Sequence, residues 1–203
     1  MTMDTTIRKQ QHHYYHHPPK HVSTPLGHML SLIDMPTESN VRFLILDCPT
    51  ESTLSLYLDE FIHYNVSTVV RCCQPTYNAQ KLTSRGISVI DLPFKDGGIP
   101  PENIIHDWLQ IIQNASNTTI AVHCVAGLGR APVLVAIALI ELGMAPLDAI
   151  QFIREKRRGS FNKPQITFLD SYKKRKPAHN QYSFRTSFGR MFGFGPKTVS
   201  QQT

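Results

Sequence analysis

Apolar positions in this chain fall into short blocks whose spacing switches between the two periods of regular structure. VRFLIL (Val41 to Leu46) is apolar except for Arg42 and is closed by the turn-forming Cys48-Pro49, so it predicts a buried strand. Leu54, Leu58, Phe61 and Ile62, with Leu56 between them, follow at helical spacing and stop near Asn65. STVVRCC (Ser67 to Cys73) is β-branched and ends before Pro75, which predicts a second strand. ISVIDL (Ile87 to Leu92), opened by Gly86 and closed by Pro93, predicts a third. Pro100-Pro101-Glu102 is a helix-start signal for Ile104, Ile105, Trp108, Leu109, Ile111 and Ile112. TTIAVHC (Thr118 to Cys124) predicts the fourth and most buried strand, and further helices are predicted over Arg130 to Leu142, Leu147 to Lys156 and Gln165 to Lys174. Strands alternating with helices predict one α/β domain, a largely parallel central sheet flanked by helices. In such sheets ligands bind beyond the carboxyl ends of the strands.

Composition refines this picture at the ends of the chain. The 203 residues suffice for one domain, residues 41–172, with a tail on either side. The formal charge of +6 is unevenly placed: residues 1–40 are neutral, and residues 41–170 carry 11 basic and 12 acidic groups. The excess therefore lies in the last 33 residues, which hold seven basic groups and no acid. Residues 1–40 hold six of the ten histidines, clustered from His12 to His28 without Cys or carboxylate partners at ligand spacing, and are expected to form a disordered arm that binds no metal. Residues 173–203 interleave Lys and Arg with Tyr182, Phe184, Phe188, Phe192 and Phe194, a composition suited to an anionic membrane surface. Nucleic acid fits less well, because no nucleic-acid-binding fold accompanies the charge. Four cysteines are too few for a disulfide scaffold and point to a reducing compartment. No signal peptide, membrane span or prenylation box is expected, which places the chain in the cytoplasm with at most a peripheral membrane contact.

The chemistry concentrates in His123-Cys124-Val125-Ala126-Gly127-Leu128-Gly129-Arg130, where the fourth strand turns into a helix. A cysteine, five residues and an arginine make a loop whose backbone N–H groups can cradle an anion, and the glycines clear side chains from it. The helix that follows adds the positive end of its dipole, and Arg130 offers a planar fork to two phosphate oxygens. The same field favours thiolate over thiol at Cys124. A nucleophile at the floor of a phosphate cradle implies attack on phosphorus through a phosphocysteine. The expected proton donor is Asp96, in the Lys95-Asp96-Gly97-Gly98 turn after the third strand. The run Arg154, Lys156, Arg157, Arg158 is read as local positive charge available to a phosphate or an acidic partner. Of Cys72 and Cys73, alternation sends the two side chains to opposite faces, so one of them can approach Cys124.

These residues resemble the phosphatases of regenerating liver, a branch of the dual-specificity protein tyrosine phosphatases. The most specific parts are AVHCVAGLGRAPVLVAIALIE (Ala121 to Glu141) and DAIQFIREKRRGSFN (Asp148 to Asn162), with LPFKDGGIPP (Leu92 to Pro101) in support. The resemblance implies a dual-specificity-phosphatase-like domain that needs no cofactor or metal. It implies Cys124 as nucleophile, phosphate binding by Val125 to Arg130, and Asp96 as general acid on a phosphotyrosine or phosphoserine/threonine protein. It further implies a reversible Cys73–Cys124 disulfide, and slow turnover because Ala131 replaces a Ser or Thr hydroxyl. A contact with the CBS-pair domain of a cyclin M type magnesium-transport mediator is implied through Arg71, Tyr77 and Arg158, making a largely non-catalytic binding module an alternative role. Phosphoinositide hydrolysis, encouraged by the basic tail, is another. Two departures bear on this. Lys95 stands where the family has an acid beside the general acid, which favours ionised Asp96, and Gln74 also replaces a family acid.

Overall fold

A computed structural model of the protein describes residues 26–34 and 41–175. Five strands form one sheet in the order β1-β2-β5-β3-β4: β1 Leu30–Ile33, β2 Arg42–Leu46, β3 Val66–Arg71, β4 Ser88–Asp91 and β5 Thr119–His123. Pairing is parallel throughout except for β1, which runs antiparallel to β2 along the edge. The helices are α1 Leu54–His63, α2 Gln80–Thr83, α3 Glu102–Gln113, α4 Arg130–Glu141, α5 Pro146–Lys156 and α6 Lys163–Ser171.

The four strands read from the apolar pattern are present, as are five of the helices. The single-turn helix α2 and strand β1 are additional to the predicted elements. Strand β1 lies within residues 1–40, read above as a disordered arm: Leu30–Ile33 pairs with β2 along the sheet edge, preceded by a single 3-10 turn over Gly27–Met29. Leu26 and Ile33 are buried, and the Ser31 hydroxyl donates to Lys156 O at 3.2 Å, so tertiary contacts hold a segment too short to declare itself among its neighbours. The His-rich run from His12 to His21 and the aromatic tail beyond Arg175 lie outside the described residues.

Two apolar layers sandwich the sheet. One contains α4, buried continuously from Arg130 to Ile140, with Trp108 of α3 and Phe43 packed against it. The other contains Leu44, Leu46, Tyr57 and Phe61. Trp108 donates its indole N–H to Leu134 O at 2.7 Å, satisfying the one polar atom of the largest fully buried side chain. The C-terminal end is fastened as well: Arg175 pairs with Glu102 at 2.6 Å and its backbone N–H donates to Glu141 at 3.1 Å.

Register is what positions the site. His123 lies opposite Leu46 on one side and Arg71 on the other, and Arg71 lies opposite Asp91. All four parallel strands therefore end at one level, and the segments after them, Asp47-Cys48, Cys72-Cys73, Leu92 to Asp96 and Cys124 to Gly129, gather at one edge.

Candidate active site

The loop from Cys124 to Arg130 is built by disposing of its carbonyl groups. Val125 O accepts from Cys48 N–H at 2.9 Å, Leu128 O from Phe161 N–H at 2.8 Å, and Gly129 O from Val133 N–H at 3.1 Å. Between them, Ala126 O and Gly127 O accept from the Arg157 guanidinium at 3.2 and 2.6 Å. With every carbonyl from Val125 to Gly129 held from outside, the loop amides are left to the concave side. That is the geometry of an anion-binding nest at a helix N-terminus. Gly127 is required here: it has φ of +67°, and a Cβ would collide with Leu46 O and the Arg157 guanidinium.

Cys124 sits at the base of the cradle, 3% exposed. Arg130, the first residue of α4, folds back over the loop. Its Nη1 donates to Cys72 O at 3.1 Å and Phe94 O at 3.3 Å, and its Nη2 lies 3.1 Å from the Asp96 carboxylate. Its Nε is buried and has no hydrogen-bond partner. A buried guanidinium donor without an acceptor costs free energy, and an oxyanion in the cradle is the ligand that would satisfy it. Ala131 follows, fully buried.

Asp96 reaches the mouth of the cradle from its own loop, its side chain 80% exposed. That loop is anchored from α6. Asn162 Nδ2 donates to Gly97 O at 2.9 Å, and Gln165 Nε2 donates to Gly98 O at 3.0 Å. Asn162 and Gln165 also form the capping box of α6, and the buried Gln165 amide packs beside Gly129. Gln165 thus ties the acid loop to the phosphate loop. Neither residue was singled out from the sequence, although Asn-x-x-Gln before a helix is a legible capping signature. Arg157 is a correction. Read above as available surface charge, it is buried, donates to the loop and also to Met29 O at 3.0 Å, and leaves Arg154, Lys156 and Arg158 as the exposed members of the run.

The remaining expected residues separate. Arg71 is buried and engaged: it meets Asp91 through Nε at 2.6 Å and Nη2 at 2.8 Å, and donates to Tyr77 O at 3.0 Å. Tyr77 is buried with its hydroxyl 2.9 Å from His123 Nε2. Arg158 is exposed just past α5. Cys72 shares the apolar layer of Cys124, whereas Cys73 faces the other way, with its sulfur 3.7 Å from Cys48 Sγ and 4.0 Å from His123 Nδ1. Cys48, Cys73 and His123 bring three potential metal-ligand atoms within 4.8 Å of one another. Hydrogen bonding from the Cys73 thiol lowers the pKa of Cys48 well below the thiol range; that same bond and burial raise the pKa of Cys73.

Comparison with known proteins accords with this geometry. Residues 48–144 match a family described as "Polymorphic toxin system, DSP-PTPase phosphatase". The chain is 50% identical over 159 residues to the probable protein tyrosine phosphatase type IVA A of Dictyostelium discoideum, spanning 76% of this chain and 94% of that one. It is 51% identical over 138 residues to the Homo sapiens protein tyrosine phosphatase type IVA 3, spanning 66% and 80%. A solved structure, a putative protein tyrosine phosphatase from Leishmania major, superposes with a TM-score of 0.65 at 42% identity, covering 71% of this chain and 99% of that one. With a thiol beneath an amide cradle and an arginine closing it, the chain belongs to the type IVA protein tyrosine phosphatases, a family of cysteine-based phosphatases.

Proposed function

We propose that this phosphatase works through a phosphocysteine that forms readily and breaks down slowly, acting on phosphotyrosine or phosphoserine/threonine proteins. The observation that carries the reading is the pairing of a complete cradle with Ala131. The Cys124 sulfur attacks phosphorus, the P–O bond to the leaving group breaks, and Asp96 delivers the proton that the departing oxygen takes up. Loop amides and Arg130 hold the equatorial oxygens throughout. Water then attacks phosphorus and the S–P bond breaks. Ala131 offers no hydroxyl to assist this second step, and the residues that follow it in α4, from Pro132 to Ile140, are all apolar and buried. Rapid mixing with a phosphopeptide is expected to give a burst of dephosphorylated product of about one equivalent per active site, then slow steady release. Absence of a burst, with release linear from the start, would refute slow breakdown. Running the same assay on a phosphoinositide decides whether the substrate class extends to lipids.

A second reading is supported by the surface around the cradle. Val125, Leu128 and Ile99 are 59, 38 and 44% exposed, an apolar rim unusual for a site that only admits a dianion. It suits a protein partner such as a CBS-pair domain seated over the pocket, with the cytoplasm as the setting and the basic tail contributing peripheral membrane contact. Pull-down with Cys124→Ser and Asp96→Ala separates the roles: binding that survives both supports a non-catalytic module.

A further inference from the structure

The thiols fall into two sets on opposite faces of the sheet edge. Cys72 and Cys124 lie in the layer of α4, while Cys48 and Cys73 flank β5 from its two sides and meet over His123. This follows from register: Cys48 and Cys73 each lie two residues beyond a residue opposite His123, and so share its face, whereas Cys72 extends β3 on the face of Cys124. The resemblance implies Cys124 as the oxidation partner of Cys73. We propose instead that Cys48 and Cys73 form a redox pair of their own, which captures oxidant before the nucleophile and leaves Cys124 reduced.

Three features carry the proposal. The sulfurs are 3.7 Å apart, so a disulfide needs an approach of about 1.7 Å, within the reach of small side-chain rotations. Cys48 is partly exposed where Cys124 is buried, so peroxide meets Cys48 first. The pair is coupled: the two sulfurs share one hydrogen bond, so the proton of one thiol can stabilise the thiolate of the other as attacking group. The Cys48 thiolate attacks hydrogen peroxide, the O–O bond breaks, and a sulfenic acid forms with release of hydroxide. The Cys73 sulfur then attacks the Cys48 sulfur, the S–O bond breaks, and hydroxide leaves as water with the Cys73 proton. His123 Nδ1, 4.0 Å from Cys73 Sγ, is placed to relay that proton. The sum is two thiols and one peroxide giving one disulfide and two waters. Because Cys48 N–H holds Val125 O, the bond forms directly behind the phosphate loop.

The test is peptide mapping of the full chain after stoichiometric hydrogen peroxide, without reduction, followed by iodoacetamide. The expected product is a Cys48–Cys73 crosslink, a loss of two hydrogens, with Cys124 alkylated. Cys48→Ser is expected to speed peroxide inactivation of the phosphatase by about 10-fold, since the faster trap is gone. Only this arm rests on the phosphatase reading; the crosslink in the unmodified chain is read independently of activity and of whether the variant folds. A Cys73–Cys124 or Cys72–Cys124 crosslink with Cys48 alkylated would overturn the proposal, as would four reduced thiols. So would one equivalent of zinc, lost in Cys48→Ser, that shields Cys48 and Cys73 from peroxide until a chelator removes it.

Discussion

Two buried arginines grip the phosphate loop from opposite sides. Arg157, on the convex side, spends its donors on Ala126 O, Gly127 O and Met29 O; Arg130, on the concave side, keeps Nε without a partner. Both are almost fully buried, at 7 and 6% exposure, so burial does not distinguish them. Acceptors do. An arginine whose donors end on backbone carbonyls shapes a loop, and one that buries an unspent donor beside a nucleophile is poised for a ligand.

That contrast can be broken by substitution, and the largest effect is expected at the proposed nucleophile. Cys124→Ser should abolish both the burst and the steady phase in a phosphopeptide assay while leaving the melting temperature close to that of the wild type. Arg130→Lys keeps the charge and loses the fork; kcat/KM should fall by about 10²- to 10³-fold. Equal loss of stability and activity there would erase the distinction from Arg157. Asp96→Asn should lower the burst rate by about 10²-fold for a poor leaving group and much less for an activated aryl phosphate, which needs no proton. On the convex side the order reverses. Arg157→Met strands two loop carbonyls and should cost roughly 2 to 3 kcal/mol in denaturant unfolding. Substrate analogues should then bind weakly because the nest is slack, and a variant as stable as wild type would refute the role assigned to Arg157. Gln165→Ala should give the smallest effect, about 1 kcal/mol from the lost cap, with a further drop in kcat as the acid loop loosens.

The thiols repeat the lesson on the other face. Between pH 6 and 8, iodoacetamide should modify Cys48 much faster than Cys73, because the shared proton lowers the pKa of one thiol and raises that of the other. Equal rates across that range would show that neither thiol holds the shared proton in preference to the other.

Much was legible in one dimension because the relevant physics is local. Cys124 and Arg130 are bound by their spacing to one loop and one helix N-terminus, and Gly127 marks the backbone approach that a side chain would block. The alternation of β-branched runs with helical spacing is enough to predict a parallel sheet with its site at the carboxyl edge. Asp96 could be nominated because it follows a strand, although a plain Asp-Gly turn looks the same in sequence. Residues that act through distant backbone were not legible. Strand β1, Leu30–Ile33, is apolar at three of its four positions but too short to stand out from the polar arm around it. Arg157 sits in a basic run that composition reads as surface, and only folding brings Gly127 O, 30 residues away, to 2.6 Å from its Nε. Cys48 and Cys73 meet only because β2 and β3 flank β5 in matched register, a pairing between strands that a linear pattern does not encode. Local spacing thus determined the candidate site. Tertiary structure decided which arginine faces the ligand, what holds the acid loop and which thiols touch, because each depends on where a backbone carbonyl or a neighbouring strand ends up in space.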